Sequence, residues 1–579
     1  MRINRAVAAS VASVMALGLA ACSSSSSSSG SPSSTPTTST SSTGTTSTTP
    51  SPAAGASGVL KVGMPNQQQT ENFNPFLGSS AGASLGFRAM IYEPLMMSNP
   101  IAPADKPKPW LATDATWSAD YKSVVFTIRD GVKWSDGQDM TAADVVYTFG
   151  ILKSTPGINT NSLPFDTITA AGNKVTVTFT APQFVNQTKV ITTVIVPEHQ
   201  WKVEATAGAD KYEDKKPIGT GPYTLTSFTP QTITLDVRTD GYWQPLPHIA
   251  KLLYTSYSDN NALTTALANG ECDWAFAFIA TIDKVYTSKD PANNKIFFPP
   301  NLGAHGLWLN TTKAPFNDKI LRQAMNMVIN RDQIFKIGES GYFYPAVTNI
   351  TGIPTPAGEP FIADEFKGQN VTVDVAGATK LLTDAGYTLA GGVLKDKSGT
   401  PVTITLTDPA GWSDYQTDLE IIKAGLKTIG IAATINKANQ DAWFKAIDTG
   451  DFQGAMHWTN GGATPYDMYE NIMNKAAMKP LGKTGSAGNY GRFDSPEATA
   501  AIAAYANASD ETTRTAALAT IEKVFVDQMP VLITSASNVG AEYSTKHWVG
   551  WPDATNPWTA PQPTQQNAEE IVLKLTPAS

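Results

Sequence analysis

Cysteine is nearly absent: Cys22 and Cys272 are the only two in 579 residues. Two such residues cannot build a disulfide framework, so the fold must rest on packed cores. Histidine is almost as scarce, with five at positions 199, 248, 305, 457 and 547. None has a second histidine or a cysteine at ligand spacing, which excludes a local metal motif and leaves only a site assembled from distant histidines. Charge is low as well, at 16% of residues with a net charge of -8. No basic surface excess points to nucleic acid. Residues 23–58 contain almost nothing but Ser, Thr, Pro, Gly and Ala. With no large apolar side chain to bury, this stretch cannot form a core and reads as a disordered tether.

What precedes the tether has a different character. "MRINRAVAASVASVMALGLAAC" places Arg2 and Arg5 before an apolar run of small residues that ends at Leu19-Ala20-Ala21-Cys22. This is the anatomy of a secretory leader, residues 1–22, and the run is too short and too Ala-rich to make a good membrane span. The L-A-A-C ending resembles the bacterial lipobox, which implies acylation of Cys22 and a protein anchored to the outer face of the cytoplasmic membrane. The 36 residues that follow would reach about 30–36 Å, at roughly 5–6 Å × √n. With Cys22 acylated, Cys272 stands alone and no intrachain disulfide can form.

From Val59 onward, strand and helix patterns interleave. "SVVFTIRDGVKW" (123–134), "KVTVTFTAP" (174–182) and "ITLDVR" (233–238) alternate apolar and polar residues as half-buried strands do. Thr141 stands where an N-cap belongs, with Asp144 three residues on, and opens a helix in "TAADVVYTFGILKS". The segments ending in Gly338 and Gly430 carry helical apolar spacing, and both glycines suit left-handed C-caps. No internal repeat is visible. The class is therefore α/β with several lobes.

Specific blocks sharpen this reading. "YEPLM" (92–96), residues 111–149, "PIGTGPYTL" (217–225), "LDVRTDGYW" (235–243), "APFNDKILRQAMNMVINRDQIF" (314–335) and "ATKLLTDAGY" (378–387) follow one another in the chain. Together they resemble the oligopeptide/dipeptide-type solute-binding proteins of ABC importers, solute-binding family 5. The resemblance implies a periplasmic-binding-protein-like two-lobed clam (type II, cluster C) with an inserted subdomain. Lobe I would comprise 59–92, 198–303 and 528–579, the subdomain 93–197, and lobe II 304–527. Two crossovers would act as the hinge. It further implies a monomeric, non-enzymatic receptor without cofactor or metal. Such a receptor would capture a ligand and hand it to the permease subunits with their ATPase. Asp136-Gly137 and "GTGPY" read as turn-forming scaffold rather than site.

"HWTNGGATPYDMY" (457–469) falls on the family block that usually reads W-x-x-D, whose acid pairs with the ammonium group of a bound peptide. Register from Trp458 puts Gly461 where that acid belongs. A peptide would then need another anion, and Asp467 six residues on is the alternative. Without it, rings for sugar faces and neutral hydrogen-bonding groups remain. That combination resembles the family's oligosaccharide-binding branch, so oligosaccharide is favoured over oligopeptide. The ligand contacts implied are Phe73, Asn74, Trp308, Trp412, Trp443, Trp458, Asn460, Gly461, Tyr466 and Trp551.

Two rival classes remain. "GASLG" (82–86) matches a nucleophile elbow around Ser84, but the preceding "NFNPFLGSSA" is loop-like where that motif needs a strand. A metal-chelate or heme receptor would require a cationic or His-bearing cleft, for which His457 beside Trp458 is the candidate.

Overall fold

Residues Ser123–Ile128 alternate half-buried and buried side chains, placing Val124, Phe126 and Ile128 in the interior and the residues between them toward the surface. This strand ends before the predicted segment does, because Gly131 turns the chain with φ of +78°. It joins a four-stranded antiparallel sheet in the order 112–117, 123–128, 174–179, 165–171. Helix Ala142–Ser154 starts as expected: the Thr141 hydroxyl accepts from the Ala143 amide at 3.2 Å, and the Thr141 amide donates to Asp144 at 2.8 Å. The second Asp144 oxygen accepts from the Glu198 amide at 2.9 Å, so the cap also ties the helix to the next segment.

The computed structural model describes residues 56–578 apart from 104, 487 and 509. The leader, Cys22 and nearly all of the tether lie outside the described residues. Two further sheets carry the two lobes. A seven-stranded sheet runs in the order 294–297, 541–544, 274–275, 57–64, 249–256, 232–237, 223–228. Its central strand Ser57–Met64 pairs in parallel with Ile249–Ser256 and Trp274–Ala275. A five-stranded sheet runs 432–438, 403–409, 454–458, 300–309, 531–538. One core joins the seven- and four-stranded sheets, from Leu60 and Leu252 to Phe126 and Val177. A second core, around Leu307, Leu406 and Leu532, belongs to the five-stranded sheet.

The recognisable blocks converge on one junction of the first core. Arg238, its side chain fully buried, donates to the carbonyls of Lys133, Trp134 and Thr220 at 3.0–3.1 Å. Glu93 accepts from Trp110, Tyr242 and Trp243 at 2.9–3.0 Å. Blocks far apart in sequence therefore lock together where no solvent can satisfy these groups.

Two glycine readings are corrected. Gly219 and Gly221 are not in the left-handed region; a Cβ on them would sit 1.8 Å from the Ile91 carbonyl and 2.4 Å from the Met90 carbonyl. Close approach of two backbone segments, not a turn, excludes a side chain there. The predicted long helix ending at Gly338 is interrupted: Lys319–Asn326 is helical, Asn330 caps a new turn, and a wide turn covers Ile334–Gly338. Gly338 is needed because a Cβ would lie 1.8 Å from Asp418 Oδ1. Gly430, with φ of +78°, is left-handed as expected.

The chain crosses between the two larger sheets twice, at Phe298-Pro299 and at Val539-Gly540. The crossovers are bonded to each other, Val539 N donating to the Pro299 carbonyl at 3.1 Å. Asn538 adds a brace, donating to the Phe343 carbonyl at 2.6 Å and accepting from Gly540 N at 3.0 Å.

Candidate functional site

Beside these crossovers lies a cavity of about 390 Å³ walled by both lobes: Phe276, Phe278 and Asn66 on one side, and His305, Trp412, Tyr415 and Trp458 on the other. A second cavity of about 680 Å³ shares Asn301, Val539 and Gln565 with it and extends toward the four-stranded subdomain. The two cavities adjoin across these shared residues.

Local structure explains the aromatic wall. Trp458 ends strand Gly454–Trp458, and Trp412 precedes helix Ser413–Thr428, so each ring leaves its element at an end facing the crossovers. Their centroids are 6.1 Å apart at 36°, and both are half-buried. Trp412 also meets Tyr415 edge-on at 5.5 Å. His305 stacks on Tyr344 at 3.8 Å, and its Nδ1 is 2.8 Å from the Tyr415 hydroxyl.

Trp308 and Trp443, expected to line the cleft, are fully buried behind that wall. Trp443 stacks on His457 at 5.2 Å, and Trp308 donates to the His457 carbonyl at 3.2 Å. They support Trp458 from the core and do not reach the cavity. Phe73 is held between Phe87 and Phe228 at 5.8 and 5.4 Å. Asn74, fully buried, donates to the carbonyls of Ala209 and Tyr212 at 2.8 and 2.7 Å. Trp551 packs on Tyr543 and Trp274. These three lie in the interior of the first lobe because backbone carbonyls and rings, not open space, surround them. Asn460 and Tyr466 line a side cavity of about 280 Å³, and Gly461 lines the large one. A side chain at Gly461 would meet Gly303 N at 3.0 Å and Asn301 at 3.2 Å.

Asp467 also lines the large cavity, but it is already paired. Its Oδ1 is 3.1 Å from Lys189 Nζ, which comes from the subdomain. Burial raises its carboxyl above the ordinary range while Lys189 pulls it down. A carboxylate committed to an internal cation is a poor partner for a ligand ammonium.

His457 is sandwiched among rings, 4.1 Å from Trp458 and 5.2 Å from Trp443, and is buried. Among the described residues no group of three His, Cys, Asp or Glu side chains is placed to hold a metal ion. Ser84 lines the smaller cavity as the fourth residue of helix Ala81–Leu85, not on the strand-to-helix turn that a nucleophile elbow requires.

Burial pushes the His305 imidazole down to about 3 and that of His457 to about 4. Both rings are therefore expected to stay neutral at pH 5 in the folded protein, a result that imidazole NMR shifts across a pH titration would check. The unfolded chain takes up these protons near pH 6.5. Their contribution to stability is thus complete above pH 6.5 and is lost as pH falls toward 3.

Sequence reasoning missed Asp414 and Tyr415, which sit two and three residues beyond Trp412 on the same helix start. The signal was present in "GWSDY". Asn301, Tyr344, Asn538 and Gln565 come from segments with no motif of their own.

The chain matches the family model "Bacterial extracellular solute-binding proteins, family 5 Middle" over residues 106–479. It is 28% identical over 338 residues to the glutathione-binding protein GsiB of Salmonella typhi, a match that spans 57% of this chain and 61% of that relative. A periplasmic oligopeptide-binding protein of Thermotoga maritima, solved with mannohexaose, superposes with a TM-score of 0.79 at 22% identity, covering 90% of this chain and 98% of the other. The oligopeptide-binding protein AppA of Bacillus subtilis, in complex with a nonapeptide, superposes with a TM-score of 0.74 at 21% identity, covering 91% and 100%. The fold is thus the two-lobed α/β clam. With its family model spanning more than half its length, the chain belongs to the bacterial extracellular solute-binding proteins of family 5.

Proposed function

We propose that this protein is the substrate-binding lipoprotein of an ABC importer. It captures an oligosaccharide, in preference to an oligopeptide, by closure of the two lobes and delivers it to a membrane permease. Cys22 is its lipid anchor on the outer face of the cytoplasmic membrane. The working division is lobe I at 59–92, 198–303 and 528–579, subdomain 93–197 and lobe II 304–527. Sheet membership supports that division except at its boundaries, where strand Val531–Asn538 and the start of Pro300–Leu309 belong to the five-stranded sheet and so go with lobe II. The protein acts as a monomeric receptor with no catalytic step.

One observation carries the ligand reading: the wall of the smaller cavity offers the Trp412 and Trp458 rings beside Asn66, Asn301, Asn538, Gln562 and Gln565, and contains no lysine or arginine. A peptide carboxylate would find no cation there, whereas ring faces and amides suit sugar faces and hydroxyls. Two adjoining cavities support an oligomer over a single unit. The fold itself carries both cargoes, as the mannohexaose and nonapeptide complexes of its relatives illustrate.

The test is calorimetric titration of the mature chain with β-linked gluco- and xylo-oligosaccharides and with a pool of di- to pentapeptides. Sugar binding is expected, weakened about 10- to 100-fold in Trp458→Ala, since losing a stacking ring at the centre of a site costs about 1.5–3 kcal/mol. Binding of peptides alone would overturn the oligosaccharide reading.

A further inference from the structure

We propose that the inner end of the cleft is a subsite for a protonated primary amine on the ligand, with the Asp414 carboxylate as its partner. This deepens the oligosaccharide reading, on whose cleft it rests, by requiring that the sugar carry an amino group.

The backbone amides of Asp414 and Tyr415 favour the charged form of the Asp414 carboxylate, but among the described residues no cation pairs with it. Asp414 is the second residue of helix Ser413–Thr428 and lines the smaller cavity, yet it is only 6% exposed. Its Oδ1 has no hydrogen-bond partner, and among the described residues it makes no ion pair. The other acids at this end of the cleft are pushed well above the ordinary carboxyl range by burial, which leaves Asp414 as the carboxylate. Glu339 and Asp418, each 1% exposed, lie behind it and share a hydrogen bond, so one proton is held between two carboxyls. From the opposite lobe comes Glu542, fully buried, accepting from Ala277 N at 3.3 Å with Oε1 unpartnered. All four carboxyls act on the Tyr344 hydroxyl. Burial raises the Asp414 carboxyl to about 6, which leaves it largely ionised at neutral pH.

A cation beside Asp414 meets a carboxylate in a region of low dielectric, where opposite charges attract strongly. The surroundings match an ammonium group: Trp412, Trp458, Tyr344 and Tyr415 offer ring faces around the carboxylate, and no lysine or arginine of this wall competes for it. Asp467, at the far side of the cleft, cannot serve, because Lys189 already holds it.

A protonated amine can come from an amino sugar or from a peptide N-terminus, and matched pairs separate the sources. The mature chain would be titrated with glucosamine oligomers, their fully N-acetylated counterparts and unmodified cello-oligosaccharides, and with a tripeptide and its N-acetylated form. In the wild type, the free amine is expected to bind at least 10-fold tighter than its acetylated partner. Asp414→Asn, which keeps the shape and removes the charge, is expected to abolish that preference. Equal binding of amine and amide forms by the wild type, a comparison that needs no variant, would overturn the proposal. So would a preference that survives Asp414→Asn. Cello-oligosaccharides binding with no amine preference in either series would remove the subsite and leave the oligosaccharide reading standing. An amine preference confined to the tripeptide pair and lost in Asp414→Asn would keep the subsite and remove the oligosaccharide.

Discussion

Gly540→Ala is expected to destabilise the protein by about 3 kcal/mol, the upper end of ordinary overpacking, and to weaken ligand binding at the same time. A Cβ at this position would meet Phe298 Cδ1 at 2.2 Å, Cγ at 2.6 Å and Cα at 2.6 Å. The clash with the Phe298 backbone decides the size of the effect, because a ring can rotate away but a main-chain atom of the other crossover cannot. Phe298 is also held by Tyr342 and Phe343 at 5.2 and 5.3 Å, which closes the remaining escape. The two crossovers thus touch at a residue that must have no side chain. Forcing them apart moves Asn538 and Val539, which line the cavity, so affinity falls together with stability. Gly150→Ala provides the contrast: it lies inside helix Ala142–Ser154 with nothing within 4 Å of a Cβ, and a gain of about 0.5–1 kcal/mol is expected. Denaturant unfolding of both variants, with ligand titration of the first, checks the pair. Wild-type stability and affinity in Gly540→Ala would show that the crossovers are not rigidly apposed.

Arg331→Met is expected to cost about 4 kcal/mol, among the larger losses for a single substitution. The Arg331 guanidinium, 5% exposed, makes no ion pair among the described residues. Backbone and amide oxygens hold it instead: Nε donates to the Ile533 carbonyl at 2.9 Å, Nη2 to Asn326 Oδ1 at 2.5 Å and Nη1 to the Asn326 carbonyl at 3.3 Å. Burial lowers its pKa to about 10, which still leaves it charged at neutral pH. Methionine fills the volume but strands these buried acceptors, each at about 1–3 kcal/mol. Arg331→Lys is expected to rescue little, because a single ammonium cannot span donors set in a fork. The unfolding midpoint in urea measures both variants, and a near-wild-type midpoint in either would contradict the account. Ile533 belongs to strand Val531–Asn538, which leads into the second crossover, so the same bonds hold one side of the hinge in place.

Local features were legible because their causes are local. The alternation in 123–128 and 174–179, the Thr141 cap and the left-handed Gly430 depend on neighbours within a few residues, and each occurs where the pattern put it. Gly219, Gly221 and Gly338 were misread as turn or cap residues because a glycine required by close packing looks the same in sequence as one required by φ.

The sequence by itself determined the α/β class, the family with its two-lobed architecture, and the block around Trp458 as part of the cleft. Order, spacing and residue type suffice for these, since a shared fold preserves its blocks in register. Only the tertiary structure decided which tryptophans face the cavity: Trp412 and Trp458 end their elements at the crossovers, while Trp308 and Trp443 pack behind them. It also decided which acid is free. Asp467 meets Lys189 from a segment 278 residues away, and Asp414 meets no cation. Exposure and charge compensation are properties of what the rest of the chain brings alongside a residue, and no stretch of sequence carries that information alone.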